Sequence, residues 1–544
     1  MATPSRLTPL RGRRFDVVVV GGGATGAACA RDAALRGLSV ALVEHGDFAS
    51  STSSASSKLL HGGLRYLQYL DFALVFEGLT ERHRLMATAP HLCRVTEFVF
   101  PVYEGERPSR FELGIGVNLY HALALGRPPS AHRGLDTARL LEIAPGLRAP
   151  GLQGAQIYQD CQTDDARLVL ENILDASAAG AVCVSYCNAM DLAKTPGGGL
   201  RGLVVQDRFS QETCTIEALT LVNAAGPFSD DLLQRLRRRN IPRIRPTLGV
   251  HMVVDNARLP TGGRAFVLQT PKDQRLFFVL PDGEHTLVGT TDTDWPRTKP
   301  SALSPDATIC AGSEDVAYLL TAANHAFPSA QLQRADVRAT VAGLRPLIAD
   351  EAAGVSETSR THELYDEGDG VLTIAGGKLT ALRAMAEQTI DRLRDILLRR
   401  GFEGTLRPCE TRTRPYPGGR AETDTVLPPI PEPTLRHLRR RYGSRVSVLA
   451  SVLREQPRLA ATISKDVPDL QAEVVLAARH EFAQTPLDFL ARRTQLAWHQ
   501  PLLSAALIEP VASLMAEELQ WDARHRARAI EFSLPDLARF RAGI

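Results

Sequence analysis

The run from Phe15 to Glu44 limits the fold of this chain more than any other stretch of it. FDVVVV leads into GGGATG, then AACARDAALR closed by Gly37, then LSVALVE. An apolar β-rich run, a glycine turn, a helical pattern and a second β-rich run, in that order, make a βαβ unit that opens an α/β domain. In Gly21-x-Gly23-x-x-Gly26 the first two glycines permit a tight turn and close approach of a pyrophosphate, and the third lets helix and strand pack. The helix N-terminus then faces the phosphates. Glu44, at the end of the second strand, is placed to accept ribose hydroxyls. A lone glycine triplet is often only a turn, but the full order of elements favours a dinucleotide site. Whether the nucleotide is NAD or FAD stays open on this motif alone.

At 544 residues the chain exceeds a single ordinary core, so a large enzymatic body with at least one further domain is expected. Lys and Arg number 63 against 61 Asp and Glu, a net charge of +2 that gives no reason to expect nucleic acid as a partner. The eight cysteines form no CxxC pair and no cluster with histidine, so they are read as reduced, mostly buried thiols; the sequence shows no D-x-[DN]-x-[DN]-G calcium loop, and no metal is predicted. No apolar run reaches the roughly 20 residues of a membrane-spanning helix. MATPSRLTPLRGRR carries four Arg, no acid and helix-breaking Pro and Gly, and is expected to be a disordered basic tail over 1–14.

Short β-branched runs, FVFPV, GVHMVVD, AFVLQT, LFFVL and TLVGTT, predict an antiparallel substrate-binding sheet interleaved with the nucleotide domain through 15–406. The Pro-, Gly- and charge-rich stretch 407–431 reads as a linker, and 432–544, rich in Leu, Ala and Arg at helical spacing, as a helical C-terminal domain. Two later segments favour FAD. Leu221–Pro227, LVNAAGP, looks like the strand-to-turn that brings many flavoprotein chains back beside the cofactor, with Gly226 in the turn. In IAGGKLT, Gly376 and Gly377 precede Lys378, Leu379 and Thr380, so that a helix N-terminus meets the flavin pyrimidine edge.

The stretch DFASSTSSASSKLLHGGLRYL, 47–67, resembles the signature of the FAD-dependent, respiratory glycerol-3-phosphate dehydrogenase family. The resemblance continues through YQDCQTDDARLVL, GTTDTD, GLRPL and RHEFAQTPLDFLARRTQLAW, and so covers nearly the whole chain. It implies non-covalent FAD, a fold like that of D-amino-acid oxidase, and oxidation of sn-glycerol 3-phosphate to dihydroxyacetone phosphate with electrons passed to a membrane quinone. It further implies a peripheral place on the inner face of the cytoplasmic membrane, with a homodimer as the assembly to test. Carried over residue by residue, Arg65, Tyr66, Arg360 and Lys378 match substrate-phosphate positions, and His251, Arg345 and Thr291 match positions at the reacting carbon. Ser53, Ser54 and Ser57 of the Ser/Thr-rich loop join Gly21, Gly23, Gly26, Glu44, Gly226, Gly377, Leu379 and Thr380 as cofactor residues. A phosphate monoester is largely dianionic at neutral pH and calls for such cations, although a single arginine or lysine is more often a surface ion-pair residue. His251 stands between two roles, base for the C2 hydroxyl or hydrogen-bonded core residue, with Arg345 as the alternative group to polarise that hydroxyl.

Two positions depart from the family pattern, Leu248 where many members carry Lys and Phe228 where Trp is usual. Phe111–Leu125, flanked by arginines, is read either as an interfacial segment or as a buried helix, and the basic stretch 436–445 either as a lipid-facing surface or as a solvated one. The competing functions are an oxidase that returns electrons to oxygen, an amine or amino-acid oxidase of the same fold, and a non-catalytic FAD-binding module.

Overall fold

The computed structural model describes residues 5–129, 131–237, 241–259, 261–295, 309–349, 361–421 and 429–544. The opening unit forms as its pattern dictates: strand Arg14–Val20, helix Ala24–Leu35 and strand Val40–Val43. Val17 to Val20 pair in parallel with Val40 to Val43, and the strand Thr213–Asn223 lies in parallel on the other side. With Val182–Val184 and Val371–Gly376 these strands make the parallel centre of an eight-stranded sheet. Cys187–Lys194, Leu200–Asp207 and His362–Asp366 complete it as antiparallel strands. Helices Ala24–Leu35, Asp165–Ala178 and Leu382–Arg399 bury Ala30, Val169, Ile173 and Ile390 against one face. Near-continuous apolar strands such as VVVV suit a sheet covered on both faces.

A second, ten-stranded sheet holds the short β-branched runs. Its strand Ile244–Asp255 pairs along its length with Val337–Ile348 and also with His285–Gly289, both antiparallel. One pairing departs from the expected antiparallel order: Ala265–Gln269 runs parallel to Arg94–Tyr103. A long intervening chain separates these two strands, so no hairpin forces them to oppose.

From Glu432 onward the described chain is helical, and it is packed on this sheet: Trp498, Val511 and Met515 share an apolar cluster with Phe98, Leu280 and Ala339. Asp488–Arg493 is a single π turn, a local widening inside the segment expected to be regular helix. Arg441 and Arg445 of the basic stretch turn inward, Arg441 to Asp469 and Glu473 and Arg445 to Glu481, so these two are largely enclosed structural ions rather than a solvated or lipid-facing surface.

Residues 5–14 correct the expectation of a disordered tail. Leu7 and Leu10 are fully buried beside Phe15 and Val205, and Arg6 is ion-paired with Asp207 and donates to the Ser185 carbonyl at 2.6 Å. Two leucines spaced to enter one apolar cluster outweigh the basic composition around them.

Candidate functional site

The turn after the first strand is shaped by contacts that exclude side chains. A Cβ on Gly21, whose φ is +110°, would stand 2.5 Å from the Ala224 carbonyl oxygen, and one on Gly26 would collide with the Gly21 carbonyl. The helix Ala24–Leu35 has no side-chain cap at Gly23, and its first N–H, that of Ala24, donates to Ser53 Oγ at 2.8 Å. Glu44 accepts from the N–H groups of Gly22 at 2.6 Å and Gly46 at 2.8 Å, so its carboxylate is fixed with lone pairs left over for a hydroxyl.

These groups wall an open cleft of about 1350 Å³, its mouth included, with Thr25, Gly226, Gly377, Lys378 and Leu379 on the far sides. The glycine cradle, the helix N-terminus and the fixed carboxylate fit a dinucleotide pyrophosphate and ribose. The cleft also takes in the LVNAAGP and IAGGKLT turns, which fits the larger flavin nucleotide. Ser54, by contrast, turns into the protein, its Oγ 3.4 Å from the Ser51 carbonyl, and Thr380 is buried, its Oγ1 accepting from the His61 N–H at 3.1 Å. Both shape the cleft from behind.

The Ser/Thr-rich loop ties this cleft to the second sheet. Thr52 Oγ1 donates to the Leu344 carbonyl at 2.7 Å, and Ala55 lies so close to Gly343 that a Cβ there would meet it at 2.8 Å. Ser57 Oγ lies 3.0 Å from His251 Nε2. His251 is buried, and burial, with Arg345 and then Lys58 adding repulsion, pushes its pKa down to about 3, so the imidazole is neutral.

Arg345 donates to Thr290 Oγ1 at 2.6 Å and to the Thr291 carbonyl at 3.0 Å, and pairs with Asp292 at 3.2 Å. Its guanidinium lies across Gly249, where a side chain would have to displace it. Thr291 Oγ1 accepts from the Val250 N–H at 3.0 Å, a hydroxyl that ties the turn after His285–Gly289 to the strand Ile244–Asp255 rather than one presented to a ligand. Lys378 stands in the cleft wall with its ammonium 3.7 Å from the ring centroid of Tyr66. Arg65, one residue earlier on the 3₁₀ helix Leu64–Tyr69, donates to Tyr69 Oη at 3.3 Å on the exposed side. Tyr66 and Lys378 are therefore brought together, as are His251 and Arg345, whereas the described contact of Arg65 points outward. Arg360 lies outside the described residues.

Several contributors were not singled out from sequence. Lys58, buried, pairs with Asp165 at 2.7 Å and lies 4.2 Å from the Trp498 ring centroid, and Asp165 also accepts from Ser56 Oγ at 2.7 Å. Asp292, the partner of Arg345, lies inside GTTDTD, a motif that carried the signal without the pairing. Both departures are buried in one apolar cluster with Val250 and Leu344, so Leu248 occupies a place where an ammonium would need its own partner.

Residues 16–383 match the family model described as FAD dependent oxidoreductase, and 409–526 match that described as the C-terminal domain of alpha-glycerophosphate oxidase. The chain is 35% identical over 498 residues to the aerobic glycerol-3-phosphate dehydrogenase of Staphylococcus aureus strain USA300, covering 89% of this chain and 87% of that one. Among solved structures, the glycerol-3-phosphate dehydrogenase of Bacillus halodurans complexed with FAD is similar with a TM-score of 0.79 and 30% identity, over 99% of this chain and 97% of that one. The L-alpha-glycerophosphate oxidase of Mycoplasma pneumoniae shares the fold at 17% identity and a TM-score of 0.55, over 74% of this chain and 98% of that one.

Proposed function

This chain belongs to the FAD-dependent glycerol-3-phosphate dehydrogenase family, and from that premise we propose that it oxidises sn-glycerol 3-phosphate at C2 to dihydroxyacetone phosphate. The observation that carries the substrate is the Lys378 ammonium seated on Tyr66 in the cofactor cleft, with the Arg345 guanidinium on the adjoining sheet. A dianionic ester is drawn to such a place, and an uncharged alcohol is not.

Gly21, Gly23, Ala24, Glu44, Ser53, Gly226, Gly377 and Leu379 would hold FAD, which when bound supplies the two-electron acceptor. The protein positions the substrate and handles its proton. Neutral His251, with Nε2 facing Ser57 Oγ, takes the proton released from the C2 hydroxyl. A bound dianion offsets the cationic field of Arg345 and Lys58 that depresses this imidazole, so its basicity rises when substrate is present. Lys378→Met tests the assignment. Removing one partner of a desolvated charged contact costs about 2 to 5 kcal/mol, so kcat/KM for glycerol 3-phosphate should fall at least roughly thirtyfold. With flavin content unchanged, the residual activity on glycerol should barely move. An equal loss on both substrates, or none on the phosphate ester, would remove the phosphate site.

Electrons then pass to a quinone at the cytoplasmic face of the membrane. This part rests on an exposed apolar surface shared by three elements in contact: Leu70 at the C-terminal end of the 3₁₀ helix Leu64–Tyr69, Phe72 and Phe76 of helix Phe72–Thr88, and Phe111 and Ile115 of helix Arg110–Leu123. Phe111 is 77% exposed and Leu70 72%, and Arg107 and Arg110 lie at the same rim. No described helix is long and apolar enough to cross a membrane, which agrees with lying on its surface. The oxidase reading is kept because the C-terminal match is to a model named for such an enzyme; stoichiometric peroxide during turnover in air would favour it.

A further inference from the structure

Lys58 combines two features that a chain does not adopt without a partner to offset them. Its φ is +56°, in the left-handed region that side chains disfavour, and its ammonium is buried. The partner is Asp165, the fully buried first residue of helix Asp165–Ala178. Asp165 Oδ1 takes the Lys58 ammonium at 2.7 Å and the Ala166 N–H at 2.9 Å. Oδ2 takes Ser56 Oγ at 2.7 Å and the Ser56 N–H at 3.2 Å. Four donors fill the acceptor sites of the carboxylate. Burial opposes the charge on Lys58, but Asp165 and then Asp164 outweigh it and raise the pKa, so the ammonium stays protonated. The Lys58 backbone is held as well: its N–H donates to Ser56 Oγ at 3.0 Å and its carbonyl accepts from the Thr163 N–H at 2.8 Å. From the C-terminal region, the Trp498 ring of helix Leu496–His499 lies 4.2 Å from the same ammonium.

Ser57 stands between these two fixed residues and carries its hydroxyl to His251, 3.0 Å from Nε2. The His251 ring is confined on another side by Gly289, where a Cβ would stand 2.6 Å from Cδ2. Among the described residues its Nδ1 has no hydrogen-bond partner. Packing can restrain the ring plane, but the nitrogen that carries the proton is set by a hydrogen bond, and here that bond is the one to Ser57. A proton acceptor works only from the right position, and a misplacement of about 1 Å can cost on the order of a hundredfold in rate.

We propose that Lys58 and Asp165 are positioning residues for the reaction: together they pin the loop on both sides of Ser57, and Ser57 orients the His251 ring toward the C2 hydroxyl. This rests on the reading of His251 as the acceptor of the C2 proton and is independent of the phosphate assignment. An apolar pair could fill the same space, but a charge-assisted hydrogen bond fixes direction as well as place.

The test is anaerobic flavin reduction by saturating glycerol 3-phosphate in FAD-loaded Lys58→Met, Ser57→Ala and His251→Asn, and in the first two combined with the third. Lys58→Met should slow reduction at least about tenfold, while the substrate concentration for half-maximal rate stays within about twofold. Combined with His251→Asn, it should add less than about twofold, because a residue that acts through His251 has nothing left to position. A general loss of structure would instead add its full effect in both backgrounds. Ser57→Ala leaves the Lys58–Asp165 pair in place and should follow the same pattern, which keeps the test decisive if Lys58→Met fails to retain FAD. Losses that multiply in the His251→Asn background, or a Ser57→Ala rate equal to wild type, would overturn the proposal and leave His251 as the acceptor. A wild-type rate in His251→Asn alone would remove that acceptor assignment, and the proposal with it.

Discussion

His251 is buried on the strand Ile244–Asp255, where it meets Ser57 across 194 residues of sequence. Its pKa is held down to about 3 by burial and by Arg345 and Lys58, whereas in the unfolded chain it titrates near its ordinary value of about 6.5. Between those values the unfolded state binds the extra proton, so stability is complete above about pH 6.5 and falls with pH below it. For one proton the slope reaches about 1.4 kcal/mol per pH unit. Denaturant unfolding of wild type and His251→Gln at pH 7.5 and pH 5 checks this: the wild type should lose about 1 to 2 kcal/mol more on acidification than the variant. Parallel losses would mean that the imidazole is not buried neutral. At this scale the sequence was legible in residue types and silent on partners. GVHMVV and GTTDTD singled out His251, Thr291 and Arg345's surroundings, but that the Thr291 hydroxyl ties its turn to the strand Ile244–Asp255 and that Asp292 answers Arg345 depends on the register of the neighbouring strands. Lys58 passed as one letter of a motif because its partner Asp165 lies 107 residues away.

At the scale of elements, the loop that begins at Asp47 is clamped by the C-terminal π turn. Arg492 and Arg493 both pair with the buried Asp47 carboxylate, and Arg492 also pairs with Asp488 at 2.7 Å. Desolvation works against the Asp47 charge, and the two guanidiniums overcome it and hold the carboxyl below its usual range. Removing one member of such a buried set typically costs about 3 to 5 kcal/mol, because the remaining charges stay buried and unmatched. Asp47→Asn should therefore lower unfolding stability by that order and speed FAD release, since the same loop carries Ser53 onto the helix N-terminus. Stability near wild type with normal FAD retention would show that the clamp is idle. The opening βαβ unit could be read from sequence because its period and turns are local. The clamp could not, since 445 residues separate Asp47 from Arg492 and no periodicity crosses that gap. The packing of residues 5–14 is hidden from composition for a related reason: the segment is basic, but Leu7 and Leu10 find an apolar cluster supplied by strands some 190 residues on.

For the whole molecule, the division into a parallel-centred nucleotide sheet, a mainly antiparallel second sheet and a helical C-terminal region was legible from patterns of period two and 3.6. The way the C-terminal helices close one face of the second sheet was not, and that closure leaves the apolar surface around Phe111 outside. Phe111→Ser with Ile115→Ser should reduce co-sedimentation with anionic lipid vesicles severalfold while leaving dye-linked activity on glycerol 3-phosphate intact. Unchanged sedimentation would place the membrane contact elsewhere. In the proposed reaction, FAD held in this cleft accepts electrons from a phosphorylated glycerol. Anaerobic mixing of the purified yellow protein with sn-glycerol 3-phosphate, with flavin absorbance followed in time, tests it most directly. Prompt bleaching by this substrate is expected, with little by glycerol at the same concentration; a flavin that stays oxidised with glycerol 3-phosphate, or bleaches equally with both, would rule out the reaction.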